Sequence, residues 1–483
     1  MKVDRRTMLH GTAMASLASL VSGYPARSHA AQATVSQPNI VFIMADDLGY
    51  ADIGCYGARD IRTPHIDALA GRGIRLTDGY ANSPVCSATR TALITGRYQY
   101  RLPCGLQEPL AVGDYGLPPA EMTLPRLLQG LGYTTALVGK WHLGNLPDYG
   151  PLLSGYDRFF GIERGAADYF SHKSMAAPPP IDEDRLAAAN VVSDPAGSQG
   201  LPPGLIEGTE PVEAFGYLTD VLGDRAVVEI EAAHRQGKPL FLSLHFTAPH
   251  WPWEGPDDAE VARSIVDQTH TDGGNLATYG AMVESMDANV GKVMATLDHL
   301  GIAENTIIVF TSDNGGERFS DVWPFTGAKT ELLEGGIRVP LVISWPARIS
   351  AGSTSSQAMM SMDFTPTFYA AAGGDASVVR SDGENLLPVL TGISEAYSRK
   401  LFWRYQANDQ AAMREGHYKY LRLRGREYLF DLVSDQHERA NLKDREPERF
   451  AAMKGEWEAW NATMLPYQDD SFSHDISDFL PDR

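Results

Sequence analysis

The chain has 483 residues with 61 acidic against 41 basic side chains, a formal charge of −20 that argues against nucleic acid as a partner. Its length exceeds what one hydrophobic core holds, so two domains are the default. Three cysteines, an odd number, are too few for a disulfide framework. The first residues carry the pair Arg5–Arg6, then a mild apolar run from Met8 to Gly23, then small-residue cleavage options after Ala30 or Ala33. This pattern predicts a signal peptide over residues 1–33 of the twin-arginine type, with export to the periplasm or out of a bacterial cell. The apolar run is shorter than the ~20 residues a membrane span needs, and no later stretch fits one. Apolar, β-branched runs predict buried strands over 40–44, 134–138, 240–246, 306–311 and 341–344. Between them fall predicted helices over 123–131, 218–235, 279–300 and 364–372, while 176–204, rich in Pro, Gly and Ala, reads as a surface excursion. Short runs at 401–405, 411–415, 417–421 and 427–431 predict an antiparallel meander, followed by a helix over 447–463. The fold class is α/β: a large mixed, mostly parallel sheet flanked by helices over 34–394, with a smaller C-terminal α+β subdomain on an antiparallel sheet over 395–483.

Chemistry collects where the strands end. The first strand leads into Asp46 and Asp47, the second into Lys140 and His142, the third into His250, and the fourth into Asp313 and Asn314. Ligands of open parallel sheets bind outside the carboxyl ends of the strands, so these groups are expected on one rim. Asp46, Asp47, Asp313 and Asn314 offer hard oxygen ligands suited to Ca²⁺ or Mg²⁺. Arg90, Lys140, His142, His250 and Lys329 form a basic set around an anion, which makes a tetrahedral oxyanion ester the natural substrate. In SPVCSATRTALITGR, residues 83–97, Pro84 precedes good helix formers and Gly96 reads as the stop, which sets Cys86 at a helix N-terminus. Free N–H groups there favour negative charge, so Cys86 is either reactive or a target of modification. His245, inside a strand, reads as structural, as do Asp52, Cys55 and His65.

CSATRTALITGR resembles the signature of the type I, formylglycine-dependent sulfatases of the alkaline phosphatase superfamily. ADDLGYADIGCYG, GYTTALVGKWHLG, TAPHWP, FTSDNGG and GAKTELLEGGIRVP match further blocks of that family in order, from about Pro38 to Leu442. The family's usual core is C-x-P-x-R, and this chain has Ala88 at the proline position. The resemblance implies that a formylglycine-generating enzyme oxidises Cys86 to Cα-formylglycine. It implies that Asp46, Asp47, Asp313 and Asn314, with the modified residue, bind one Ca²⁺, and that Arg90, Lys140, His142, His250 and Lys329 surround the sulfate. By the same resemblance Asp313 assists deprotonation of the nucleophile, His250 or Lys329 protonates the leaving alcohol, and His142 promotes release of the sulfate.

The activity this implies is sulfuric ester hydrolysis. A broad arylsulfatase, a phosphodiester or phosphonate monoester hydrolase of the same superfamily, and a non-catalytic glycan-binding protein with unmodified Cys86 are the alternatives. Trp251, Trp253, Trp323, Tyr169 and Arg318 near the rim suit a sulfated carbohydrate, and WPW over 251–253 reads equally as core packing or as a platform for stacking sugar rings.

Overall fold

A computed structural model describes residues 37–110, 115–172, 174–175, 204–264 and 273–475. The predicted signal peptide and residues 176–203 of the excursion lie outside them. Ten strands form the main sheet: β1 (Asn39–Ala45), β2 (Ile74–Leu76), β3 (Thr134–Lys140), β4 (Arg158–Ile162), β5 (Ile206–Glu207), β6 (Glu210–Pro211), β7 (Leu240–His245), β8 (Thr306–Ser312), β9 (Leu341–Ser344) and β10 (Ser353–Ser355). Their spatial order is β10-β2-β9-β8-β1-β7-β3-β4-β5-β6. The centre, from β8 through β1 and β7 to β3 and β4, is parallel. Val41, Ile43 and Ala45 of β1 enter one hydrophobic cluster, and Ile40, Phe42 and Met44 enter another on the opposite face. Burial on both faces is why these strands read as unbroken apolar runs rather than as alternation. Helices α1 (Pro64–Gly71), α4 (Leu218–Gln236) and α5 (Leu276–His299) cover the first face; α3 (Leu124–Gln129) and α6 (Phe364–Ala371) cover the second.

One predicted strand runs the other way. The strand over 341–344 is what makes this mostly parallel sheet mixed: β9 is antiparallel to β8, pairing Leu341 with Thr311. A four-residue run buried on both faces looks the same in either direction. The connection decides, because the chain from Asp313 to Pro340 stays at the carboxyl edge and enters β9 from there.

The C-terminal meander is present as β11 (Lys400–Tyr405), β12 (Gln410–Glu415), β13 (Tyr418–Leu423) and β14 (Arg426–Asp431), antiparallel throughout. Helix α7 (Pro447–Asn461) covers one face through Met453 and Trp457. The other face shares one hydrophobic core with Val85, Ala88 and Ala92, which joins this sheet to α2 (Cys86–Thr95), the helix that begins at Cys86. Gly96, left-handed at φ 68°, ends α2 as the sequence indicates. No helix among the described residues is long and apolar enough to cross a membrane.

Candidate active site

The parallel register brings the chemistry together. Met44 of β1 lies opposite both His245 of β7 and Thr311 of β8, so the residues that follow each strand meet at one level. Asp47 leaves β1 at φ 67° and His142 follows β3 at φ 55°, left-handed conformations that Asp and His tolerate better than most side chains. Cys86 opens α2 behind Val85, which provides no side-chain cap, so the first N–H groups of the helix remain available. Thr89 N–H is the first to bond back, to Val85 O at 3.3 Å. The N–H of Ala88 is therefore one of the orphan donors, so a proline at this position would forfeit no helical hydrogen bond.

The Cys86 thiol lies 3.3 Å from Asp46 Oδ1 and 4.0 Å from Asp47 Oδ1. Ligand atoms of Asp46, Asp47, Cys86 and Asp313, all buried, fall within 4.8 Å of one another. Asn314 completes this group, since its Nδ2 donates to Asp47 Oδ1 at 2.7 Å. Its Oδ1 is buried with no hydrogen-bond partner among the described residues. Around this acidic centre stand the basic side chains. Arg90 donates to Asp313 Oδ2 through Nε at 3.1 Å and Nη2 at 2.8 Å. Lys140 Nζ lies 2.5 Å from Asp46 Oδ2, and Lys329 Nζ lies 2.6 Å from Asp47 Oδ2. His250 Nε2 is 3.6 Å from Asp47 Oδ2, while its Nδ1–H donates to Trp251 O at 2.7 Å. His142 donates from Nε2 to Leu110 O at 3.1 Å, and its buried Nδ1 has no partner among the described residues.

Burial and neighbours set the charges. Burial, reinforced by Asp313, pushes Asp46 up to about 6, and burial also raises Asp47 well above the usual carboxylate range. Burial opposes ionisation of Asp313 as well, but Arg90 and Lys140 outweigh it and hold this carboxyl well below its ordinary value. Burial and the adjacent cations push His142 and His250 well below the usual imidazole range, so both are neutral. Burial works against the Lys329 ammonium, yet Asp47 and Glu317 keep it protonated, raised well above its ordinary value. Burial, with Asp313 and Asp46 adding to it, pushes the Cys86 thiol well up. The encoded thiol is thus not a thiolate, despite its place at a helix N-terminus.

All the predicted metal and catalytic residues converge here. The aromatic expectations divide. Trp251 and Trp253 are 6 % and 3 % exposed and belong to the core, where Trp253 meets Phe319 edge to face at 4.8 Å. Tyr169 is fully buried and donates its hydroxyl to His250 O at 2.9 Å, bracing the histidine loop. Arg318 is exposed, its guanidinium 5.7 Å from the Trp253 ring centre, and Trp323 is 60 % exposed. His245 is buried as expected, but its Nδ1 is 3.3 Å from Arg90 Nη1, directly behind the site. Glu317, not singled out from the sequence, is buried 3.2 Å from Lys329 Nζ. Its position three residues after Asn314, in a block already marked by chemistry, was the signal available.

An oxygen-rich acidic centre ringed by buried cations, at the carboxyl edge of a parallel sheet, defines a hydrolase of anionic esters. Residues 38–374 match the family model described as Sulfatase, and 328–456 match N-sulphoglucosamine sulphohydrolase, C-terminal. Mouse steryl-sulfatase is 34 % identical over 435 residues, covering 76 % of this chain and 67 % of that one. Human arylsulfatase A is 33 % identical over 404 residues, covering 80 % and 75 %. Among solved structures, that of Ps i-CgsB, determined also in complex with k-i-k-neocarrahexaose, superposes with a TM-score of 0.77 at 30 % identity, covering 92 % of this chain and 96 % of that one. The chain belongs to the sulfatase family of the alkaline phosphatase superfamily. It is a sulfuric ester hydrolase.

Proposed function

We propose that this sulfatase removes sulfate from a sulfated carbohydrate, using Cys86 matured to Cα-formylglycine and one Ca²⁺ held by Asp46, Asp47, Asp313 and Asn314. The observation that carries the reading is the convergence of these four oxygen-bearing side chains on Cys86 inside a ring of five basic ones. The residues fit the ion. Every donor but the sulfur is a hard oxygen, and the orphaned Asn314 Oδ1 lacks the partner that a cation provides. Replacing the thiol by an aldehyde hydrate turns the donor set wholly to oxygen. The ion supplies positive charge for the sulfate oxygens, and the matured residue supplies the nucleophilic hydroxyl.

The remaining residues hold and move protons. Arg90, fixed by its two bonds to Asp313, presents positive charge beside residue 86. Lys140 neutralises Asp46 and, with Lys329, draws the anionic ester against the global charge of −20. Asp313, ionised beside Arg90, accepts the proton of the attacking hydroxyl. Lys329 carries a proton at rest and is the better placed donor to the leaving alcohol, because His250 is neutral with its one ring proton committed to Trp251 O. The free Nδ1 of neutral His142 accepts a proton in the release of sulfate. Carbohydrate as the substrate class is supported by the oligosaccharide complex of the relative Ps i-CgsB. Maturation requires a formylglycine-generating enzyme as partner, and the twin-arginine leader read in residues 1–33 directs the folded enzyme out of the cytoplasm.

The test joins two measurements. Mass spectrometry of the tryptic peptide bearing residue 86 should show the aldehyde in place of the thiol. Sulfate release should be measured across a panel of sulfated oligosaccharides and nitrophenyl sulfate. Unmodified Cys86 in active enzyme removes the nucleophile assignment; turnover of aryl sulfates alone removes the carbohydrate assignment.

A further inference from the structure

A second cleft of about 650 Å³ opens beside the active site, between the main sheet and the C-terminal sheet, with Asp78, Phe325, Arg338, Tyr397 and Arg414 in its lining. Its position follows from strand register. β2 is antiparallel to β9, and β9 to β8, so β2 runs in the same direction as β8 and β1. Leu76 pairs with Leu341, Leu341 with Thr311, and Thr311 with Met44. Asp78, two residues beyond Leu76, therefore lies level with Asp313 and Asp46, each two residues beyond its own register partner. Strands lie ~4.8 Å apart, so the Asp78 end of the cleft is about 10 Å from the strand bearing Asp313 and about 14 Å from that bearing Asp46. The two sites share a wall. The loop leaving β8 passes through Asp313 and Asn314, supplies Pro324 and Phe325 to the cleft, and returns to the active site at Lys329.

The chemistry of the cleft selects its occupant. Three lining arginines are matched by acids: Arg338 holds Asp78 and Glu334, Arg414 holds Asp78, and Arg399 holds Asp363 and Glu384, so the cleft offers many hydrogen-bonding groups with little net charge. Tyr397 and Val433 in the lining are 44 % and 78 % exposed; Trp323, 60 % exposed, precedes the lining Pro324, and its ring lies 5.0 Å from that of His437, which follows the lining Gln436. Compensated charge with exposed aromatic faces suits uncharged, hydroxyl-rich pyranose rings rather than a second sulfate.

We infer that this cleft binds uncharged sugar rings of the same glycan chain whose sulfate ester lies at residue 86, so that the enzyme grips a polymer at two places. The inference rests on the carbohydrate reading above. The experiment uses the sulfated polysaccharide that the panel identifies as the best substrate, cut into size-graded oligosaccharides. kcat/KM should rise roughly tenfold from the shortest fragment to those long enough to reach the cleft, and then level off. The Trp323→Ala/Tyr397→Ala double variant should remove most of that gain, through KM rather than kcat. A kcat/KM independent of length, or a gain that survives the double variant with its KM unchanged, overturns the inference. If no sugar sulfate is hydrolysed while nitrophenyl sulfate is, the carbohydrate reading itself has failed, which is a separate result.

Discussion

Lys329 is the residue where proton donation and structural pairing can be separated by experiment. It lies buried between Asp47 and Glu317, at 2.6 and 3.2 Å. Lys329→Met keeps the volume and removes the charge. Breaking a buried pair from one side costs about 3–5 kcal/mol, because the opposing carboxylate is stranded. Removing a general acid costs roughly 10²–10⁴-fold in rate, and only where the leaving group needs a proton. Nitrophenol departs as an anion, whereas a sugar alkoxide does not. The variant should therefore lose stability in thermal melts, lose up to that factor on a sugar sulfate, and lose far less on nitrophenyl sulfate. Adding Glu317→Gln removes one of the two stranded carboxylates, so the double variant should recover part of the stability without recovering sugar-sulfate turnover. Equal losses on both substrates would show that Lys329 binds sulfate and donates no proton. The acid would then have to be His250, charged only after substrate binds.

Further outcomes are equally direct. Cys86→Ala should fold, since alanine suits the first helical position, and show no turnover; measurable activity would remove residue 86 from the chemistry. Asp313→Asn should abolish activity because it takes away an oxygen-donor charge and the anchor of Arg90, and prolonged chelation of the wild type should do the same; a demetallated enzyme with full rate would refute the calcium assignment. Glu254, buried beside Asp168, has its carboxyl pushed up to about 8, chiefly by burial. Because the folded protein holds this proton more tightly than the unfolded chain, stability is intact below the usual carboxylate range and falls as pH rises through about 8, by at most roughly 5 kcal/mol. Glu254→Gln should flatten that decline in denaturant titrations at pH 5 and pH 8.

What the sequence made legible were features set by local pattern. Strands buried on both faces leave apolar runs, and a parallel sheet collects whatever follows those runs, so Asp46, Asp47, Lys140, His142, His250, Asp313 and Asn314 could be assembled without coordinates. Gly96 marked the end of α2 by the one conformation its neighbours avoid. What stayed hidden depends on contacts between distant segments. Nothing local separates Trp251 and Trp253 as core from the same residues as sugar platforms, because an aromatic ring serves both purposes and only the packing of Phe319 and α5 decides. The direction of β9 depends on where a long connection returns. Glu317 is one carboxylate among 61 acidic residues until the loop folds back and sets Lys329 beside it.

The electrostatics of residue 86 carry the argument beyond the folded chain as it is synthesised. A helix N-terminus lowers a thiol's pKa, and a nucleophilic cysteine needs that effect to prevail. Here burial and the nearby Asp313 and Asp46 prevail instead, and the thiol stays protonated among carboxylates that repel its ionised form. A protein that used sulfur as its nucleophile would place cations at the thiol and acids further out. This one does the reverse, setting Asp46 and Asp47 against the sulfur and tying Lys140 and Lys329 to their far oxygens. That arrangement suits a hydroxyl-bearing group sharing a cation with the acids. On the proposed maturation, a cysteine buried to 2 % exposure has to be modified before the folding that seals it. The order of events follows: an enzyme refolded from denatured, unmodified chain should regain the fold and the oxygen cluster, yet remain inactive even with a formylglycine-generating enzyme added afterwards. Activation of the folded, unmodified protein by that enzyme would show that α2 opens in the native state, and the sealed site described here would be wrong.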